Sequence, residues 1–473
     1  MDSIQSRKQS ILWIICLVVL IGLVTCYLGG LFLSETDEWA VCFIALPVSL
    51  CILGIALYNF GILRYIDIKI ILAFGAWVII CTFLNLRRAW AMDNLSWAAT
   101  AIPGFLVPIL FPYITPKEKR LSGLEIMAWI YTAFFFIISV IGIYSVLSAK
   151  DLFDGGVYMD PVNRLWLFDY FTNIGDMALV AFLLTLFLLS GKRRWPVTVL
   201  LVVMAFSFHS VIVLTDVRTA KIAVIPALFL FGYLKTEQIH LNMEKTKKIL
   251  CSVLAGVVLC TLVFLMFSVS SKLMSKIRSN SLGKRQETVS AETITERKDV
   301  VYMSLSTAKD IKTGMILMDE NGDDSSLSER EIGLDGISER LSFWEKVLQK
   351  LIENKEDLLF GTSPAISHEL YTQNILSNFH NGYLAVLVDF GIIGFVLFML
   401  YLVIWVVKSV KLMFLCPGKA DFMARFLPAV GAGVCMEALT EEMFLTSVVI
   451  FPSAVILLLV CSCTFVFVRE ADE

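Results

Sequence analysis

The chain has 473 residues, 58% of them hydrophobic and 17% charged, with a mean hydropathy of +0.78. A soluble protein of this length cannot hide so much apolar surface, so the composition is that of a multi-spanning membrane protein. The net charge of −3 gives no footing for a nucleic-acid partner.

The N-terminus carries Arg7 and Lys8 and then an apolar run over 11–33 that no small-residue cleavage site interrupts, which predicts an uncleaved first helix. A run of roughly 17 to 25 apolar residues crosses a hydrocarbon core of about 30 Å at 1.5 Å per residue. By that measure the further spans are expected over 39–57, 66–84, 96–114, 124–146, 169–189, 195–213, 219–234, 249–268, 383–407, 422–438 and 444–467. The eighth is short and contains Pro226, and the eleventh is Gly-rich and runs into Glu437, Glu441 and Glu442. The expected fold is therefore an all-α polytopic membrane protein of about 12 transmembrane helices, because lipid obliges every backbone group to be satisfied internally. Helices 1–9 fall in 1–268, a large loop in 269–382 and helices 10–12 in 383–473. The 11 cysteines lie mostly in apolar runs, as Cys251, Cys260, Cys461 and Cys463 do, and serve as small apolar residues.

Loop charge orients the chain. With the N-terminus inside, the inner connections carry Arg7, Lys8, Arg64, Lys117, Lys119, Arg120, Lys192, Arg193, Arg194, Lys235, Lys245, Lys247, Lys248, Lys408, Lys411, Lys419 and Arg469. The short outer connections carry only Arg87, Arg88, Lys150, Arg164 and Arg218. This excess predicts cytoplasmic termini and an outer loop from 269 to 380. Within the loop, "DENGDDSSLSERE" has the wrong residues for a calcium loop, Asp324 at the sixth position and Arg330 at the twelfth. From Ile337, Leu341, Trp344, Val347, Leu348 and Leu351 form an apolar helical stripe, which predicts an amphipathic helix that lies at the membrane interface or caps the bundle.

Three basic residues are thus expected on the outer side: Arg218 at the start of the eighth span, Arg340 at the start of the amphipathic helix, and His380 at the mouth of the tenth. Helix N-termini favour anions, Lys221 lies one turn beyond Arg218, and arginine offers phosphate a planar fork that keeps its charge. Each residue also has a plainer reading. Arg218 can snorkel or pair with Asp216, Arg340 can be a solvated helix residue, and His380 can cap a helix. Glu437, Glu441 and Glu442 are expected to form an outer rim or to pair with Arg218 or Lys221.

These segments resemble the O-antigen ligase family, within the superfamily that includes O-antigen polymerases. "LTDVRTAKIAVIPALFLFGYL" is similar to its Thr-x-x-Arg segment, "ISERLSFWEKVLQKLIENKEDLLFG" to its Arg-x-x-x-aromatic loop helix, and "HNGYLAVLVDFGIIG" to its His-Asn motif with an acidic residue, here Asp389. "NRLWLFDYFTNIGDMALVAF" resembles the segment leading into the sixth span. The resemblance implies a metal-independent glycosyltransferase of the C-class type, without cofactor, in the bacterial inner membrane. It takes a glycan from undecaprenyl-diphosphate in the outer leaflet and passes it to a lipid A-core sugar or, in a polymerase, to another lipid-linked repeat unit. The resemblance makes Arg218 and Arg340 diphosphate-binding residues, helped by Lys221 and Asn381, and His380 the functional histidine. Fixed guanidinium groups stabilise the charge that builds on the leaving phosphate, and a neutral imidazole removes the acceptor's proton. A flippase or transporter is the competing class and predicts buried charges and discontinuous helices at mid-membrane.

Overall fold

The computed structural model describes residues 2–29, 35–86, 91–148, 172–215, 217–239, 337–364, 366–372, 379–415, 421–441, 443–444 and 451–472, together with 152, 157–159, 165–167 and isolated helical positions from 247 to 272. The expectations for the calcium-like stretch, Asp216 and Glu442 lie outside these residues, as does most of 269–336.

The chain folds as α1 (Asp2–Gly29), α2 (Glu35–Phe60), α3 (Ile66–Leu84), α4 (Ala91–Ile114), α5 (Lys117–Ser148), α6 (Thr172–Ser190), α7 (Trp195–Leu214) and α8 (Arg218–Ile239). After the loop come α9 (Ile337–Glu353), α10 (Lys355–Phe360), α11 (Ser367–Thr372), α12 (Gly382–Val410), α13 (Phe422–Glu437) and α14 (Phe451–Asp472). One departure from an all-helical chain is a pair of three-residue antiparallel strands, β1 (Val157–Met159) and β2 (Leu165–Leu167), between α5 and α6. Among the described residues seven helices contain a window long and apolar enough to cross a membrane, and shorter apolar helices occupy Gln9–Thr25, Ile44–Phe60 and Ile174–Ser190. The protein is therefore a multi-pass helical membrane protein. Pro226 lies inside α8 without ending it. Of the expected twelfth span, Phe451–Asp472 is helical, and 445–450 lie outside the described residues.

Helices α4 and α14 form the middle of the bundle: 88% and 83% of their spanning windows are buried, against 39% for α3 and α12. Close approach of α13 to its neighbours depends on small residues. A Cβ on Gly431 would strike the Trp405 ring of α12, and one on Gly433 the Leu183 side chain of α6. At one end of the bundle, Asp67 of α3 accepts hydrogen bonds from Tyr113 of α4 and Arg469 of α14, Arg120 of α5 pairs with Glu470, and Lys411 pairs with Asp472 at 2.7 Å. Arg64, Arg193 and Lys235 lie at the same end, so the basic residues assigned to the inner connections gather there.

Helix α12 is not continuous. Gly391 has φ 64° and ψ −176°, which breaks the ladder and releases the carbonyls before it. The backbone at 361–363, directly after α10, lies across the break: Thr362 N donates to Val388 O at 3.0 Å and Ser363 N to Asp389 O at 3.0 Å. Trp77 of α3 donates its indole N–H to Phe390 O at 2.8 Å. A transporter would use such a break to hold an ion. Here the chain's own loop fills it. Both backbones need glycine, at Gly361 (φ 77°) and Gly391, because a Cβ on Gly361 would collide with Asp389 O and one on Gly391 with Leu359 O. A left-handed non-glycine residue already costs about 1–2 kcal/mol, and here backbone cannot move aside. Gly391→Ala is expected to lower the unfolding temperature of the solubilised protein markedly, with Gly394→Ala, where only side chains are met, as the milder comparison.

Candidate functional site

At the bundle end opposite the Asp67–Arg469 cluster, the N-terminus of α8, the helix α9, the turn before α12 and the turn after α13 come together. The sequence explains each piece. Asn381 is the N-cap of α12, its side-chain oxygen accepting the Leu384 N–H at 2.9 Å. The residue before it, His380, has a left-handed backbone at φ 49°, a region that histidine visits more readily than most side chains. The next amide, Gly382 N–H, is shared between Ala438 O at 2.8 Å and Glu441 O at 3.0 Å. The turn that ends α13 is thereby sewn to the start of α12, and Tyr383 adds a bond to Cys435 O at 3.0 Å.

Helix α9 docks on the same turn. Val347 and Leu351 are buried against Phe379, Leu384, Ala385 and Val388. Trp344 donates its indole N–H to Phe379 O at 2.9 Å, next to His380. Arg340, one turn before, follows the same helix face toward the bundle. Its Nη1 donates to Thr440 O at 2.8 Å and its Nη2 lies 3.4 Å from Glu441 Oε1. Within the expected apolar stripe, Leu341 and Leu348 are 54% and 38% exposed. At 100° per residue they occupy a sector beside that of Trp344, Val347 and Leu351, and only the latter meets the bundle.

Glu441 is the centre of the constellation. It is buried, its Oε2 lies 3.2 Å from His380 Nδ1, and its Oε1 faces Arg340. Beneath it, Glu437 accepts a hydrogen bond from Thr219 Oγ1 at 2.7 Å, which ties the first turn of α8 to α13. The Glu437 carboxyl also meets that of Asp176 in α6, and both residues are fully buried. Among the described residues neither oxygen of Asp176 has a hydrogen-bond donor. The two carboxyl groups are thus packed against each other inside the bundle.

The structure thus unites Arg340 and His380 through Glu441. Arg218 is the first residue of α8, and its neighbour Thr219 bonds to Glu437, so its backbone lies at this end of the bundle; its side chain is outside the described atoms. Lys221 stands within electrostatic range of His209 of α7. Asn381 uses its amide oxygen as the α12 cap. The expectation that Glu437 and Glu441 form an outer rim is corrected: both are buried, and Glu441 takes Arg340 and His380. The expected pairing with Arg218 lies outside the described atoms. The fold of the turn at 438–441 turns these side chains inward. Asp176 was not singled out by the sequence, although an acidic residue inside an apolar run is itself a signal. Asp389 is buried beside Ser367, and its carbonyl holds the loop across the α12 break, which makes it part of the frame around the site.

Residues 209–399 match a family model described as O-antigen ligase. The match runs from late α7 to the middle of α12 and includes Arg218, Arg340, His380 and Asp389. No curated protein matches the chain.

Proposed function

We propose, on the match of residues 209–399 to a family model described as O-antigen ligase, that the chain transfers a glycan from undecaprenyl-diphosphate to a lipid A-core sugar at the outer face of the bacterial inner membrane. The observation that carries this reading is the grouping of Arg340 and His380 around one buried carboxylate, within the matched segment. Arg340 and Arg218 bind the donor diphosphate and stabilise the charge that develops as the sugar–phosphate bond breaks. His380 accepts the proton of the attacking hydroxyl. Both substrates are lipids, and a site at the end of the helix bundle matches the depth at which their head groups lie. Both termini are assigned to the cytoplasm, since the basic residues of the inner connections gather at the far end.

The acceptor is tested in cells. A deletion strain is expected to lose the polymeric ladder on its lipopolysaccharide and to accumulate the free polymer on its lipid carrier, seen by gel electrophoresis and staining. A core that carries a single repeat unit would instead identify a polymerase, which uses the same donor and the same outer residues.

A further inference from the structure

A neutral imidazole carries its proton on one ring nitrogen and a lone pair on the other, and the partner of the first decides which way round it stands. His380 turns Nδ1 toward Glu441 Oε2, 3.2 Å away. A carboxylate can only accept, so this contact is satisfied by an Nδ1–H donor. Building on the reading of His380 as the base, we propose that Glu441 is the positioning residue of the site. Its carboxylate fixes the tautomer that places the lone pair on Nε2, at the opposite edge of the ring, and through its second oxygen it holds the Arg340 guanidinium in register.

The surroundings of Glu441 support this role. Its backbone N–H donates to Glu437 O at 3.0 Å and its carbonyl accepts from Gly382 N at 3.0 Å, so the main chain is held on both sides. Among the described residues the charged groups that face it are Arg340 of α9 and His380 before α12, with Asp176 of α6 and Glu437 of α13 behind. In the transfer step the acceptor oxygen bonds to the anomeric carbon, while the bond to the diphosphate breaks and its electron pair leaves with the phosphate. The hydroxyl proton passes to Nε2. The resulting imidazolium keeps its Nδ1–H on Glu441, whose negative charge offsets the new positive one.

The test uses the full chain in lipid nanodiscs with a lipid-linked glycan donor. Glu441→Gln keeps the size of the side chain but offers Nδ1 an amide that can donate, which favours the other tautomer. It is expected to lower kcat by about 10²–10⁴-fold, the range for loss of a general base or its orienting partner. KM for the donor should change by less than about threefold, because Thr440 O still anchors Arg340. Glu441→Asp should recover part of the rate. The chain has four histidines, so nitrogen-15 histidine spectra can be assigned by difference against His380→Gln. The wild-type spectrum should show His380 with its proton on Nδ1. A wild-type spectrum with the proton on Nε2 overturns the proposal without any need for a folded variant, and so does wild-type turnover by Glu441→Gln. If His380→Ala itself turns over normally, the base reading fails instead. Loss in His380→Ala with full activity in Glu441→Gln defeats the role of Glu441 alone.

Discussion

Arg340→Lys is expected to lose most glycan transfer although it keeps the positive charge. The guanidinium of Arg340 spreads two donors to two acceptors, Thr440 O at 2.8 Å and Glu441 Oε1 at 3.4 Å. The planar fork is what allows one side chain to hold the 438–441 turn and also meet a phosphate oxygen. An ammonium is a point charge on a flexible stem and reproduces one such contact at a time. Loss of one charge-assisted hydrogen bond, about 1.5–3 kcal/mol, corresponds to roughly 10–150-fold in rate. Arg218→Lys should behave alike if its side chain serves the same diphosphate. The measurement is transfer by purified variants at equal protein levels with lipid-linked donor, and normal transfer by both Lys variants would remove diphosphate binding from these residues.

His380→Ala should be the most damaging single change in the site, lowering turnover by about 10²–10⁴-fold while donor binding is largely retained. The imidazole is held on three counts: a left-handed backbone at φ 49°, the Glu441 contact at 3.2 Å, and a preceding residue fastened by Trp344. A fixed side chain of this kind suits a base that must meet a hydroxyl in one geometry. Activity should also fall on acidification, because a protonated ring cannot accept the hydroxyl proton. If His380 only donates a hydrogen bond to phosphate, His380→Gln should work nearly as well as wild type and the acidic limb should flatten or reverse. Rates for wild type, His380→Ala and His380→Gln between pH 5 and 8 separate the two roles.

Much of the frame was legible along the chain because membrane helices are written in one dimension. A bilayer asks for a minimum apolar length, so the runs at 66–84 and 195–213 coincide closely with α3 (Ile66–Leu84) and α7 (Trp195–Leu214). Arg340, on the amphipathic helix, and His380, at the mouth of the tenth span, were found the same way, as polar residues where an apolar pattern begins. Position alone could not say what they touch. Glu441 and Asp176 are 265 residues apart in number, and nothing local brings them to one place.

The sequence by itself determined that the protein is a multi-pass helical membrane protein and which basic residues stand at helix mouths, since composition, run length and charge are properties of the chain. Only the tertiary structure decided what joins them. It turned Glu441 inward to take Arg340 and His380, set Asp176 against Glu437, and filled the break at Gly391 with the backbone of 361–363. The physical reason is that a buried charge or an open carbonyl must find a partner inside the fold, and that partner is chosen by packing across distant helices.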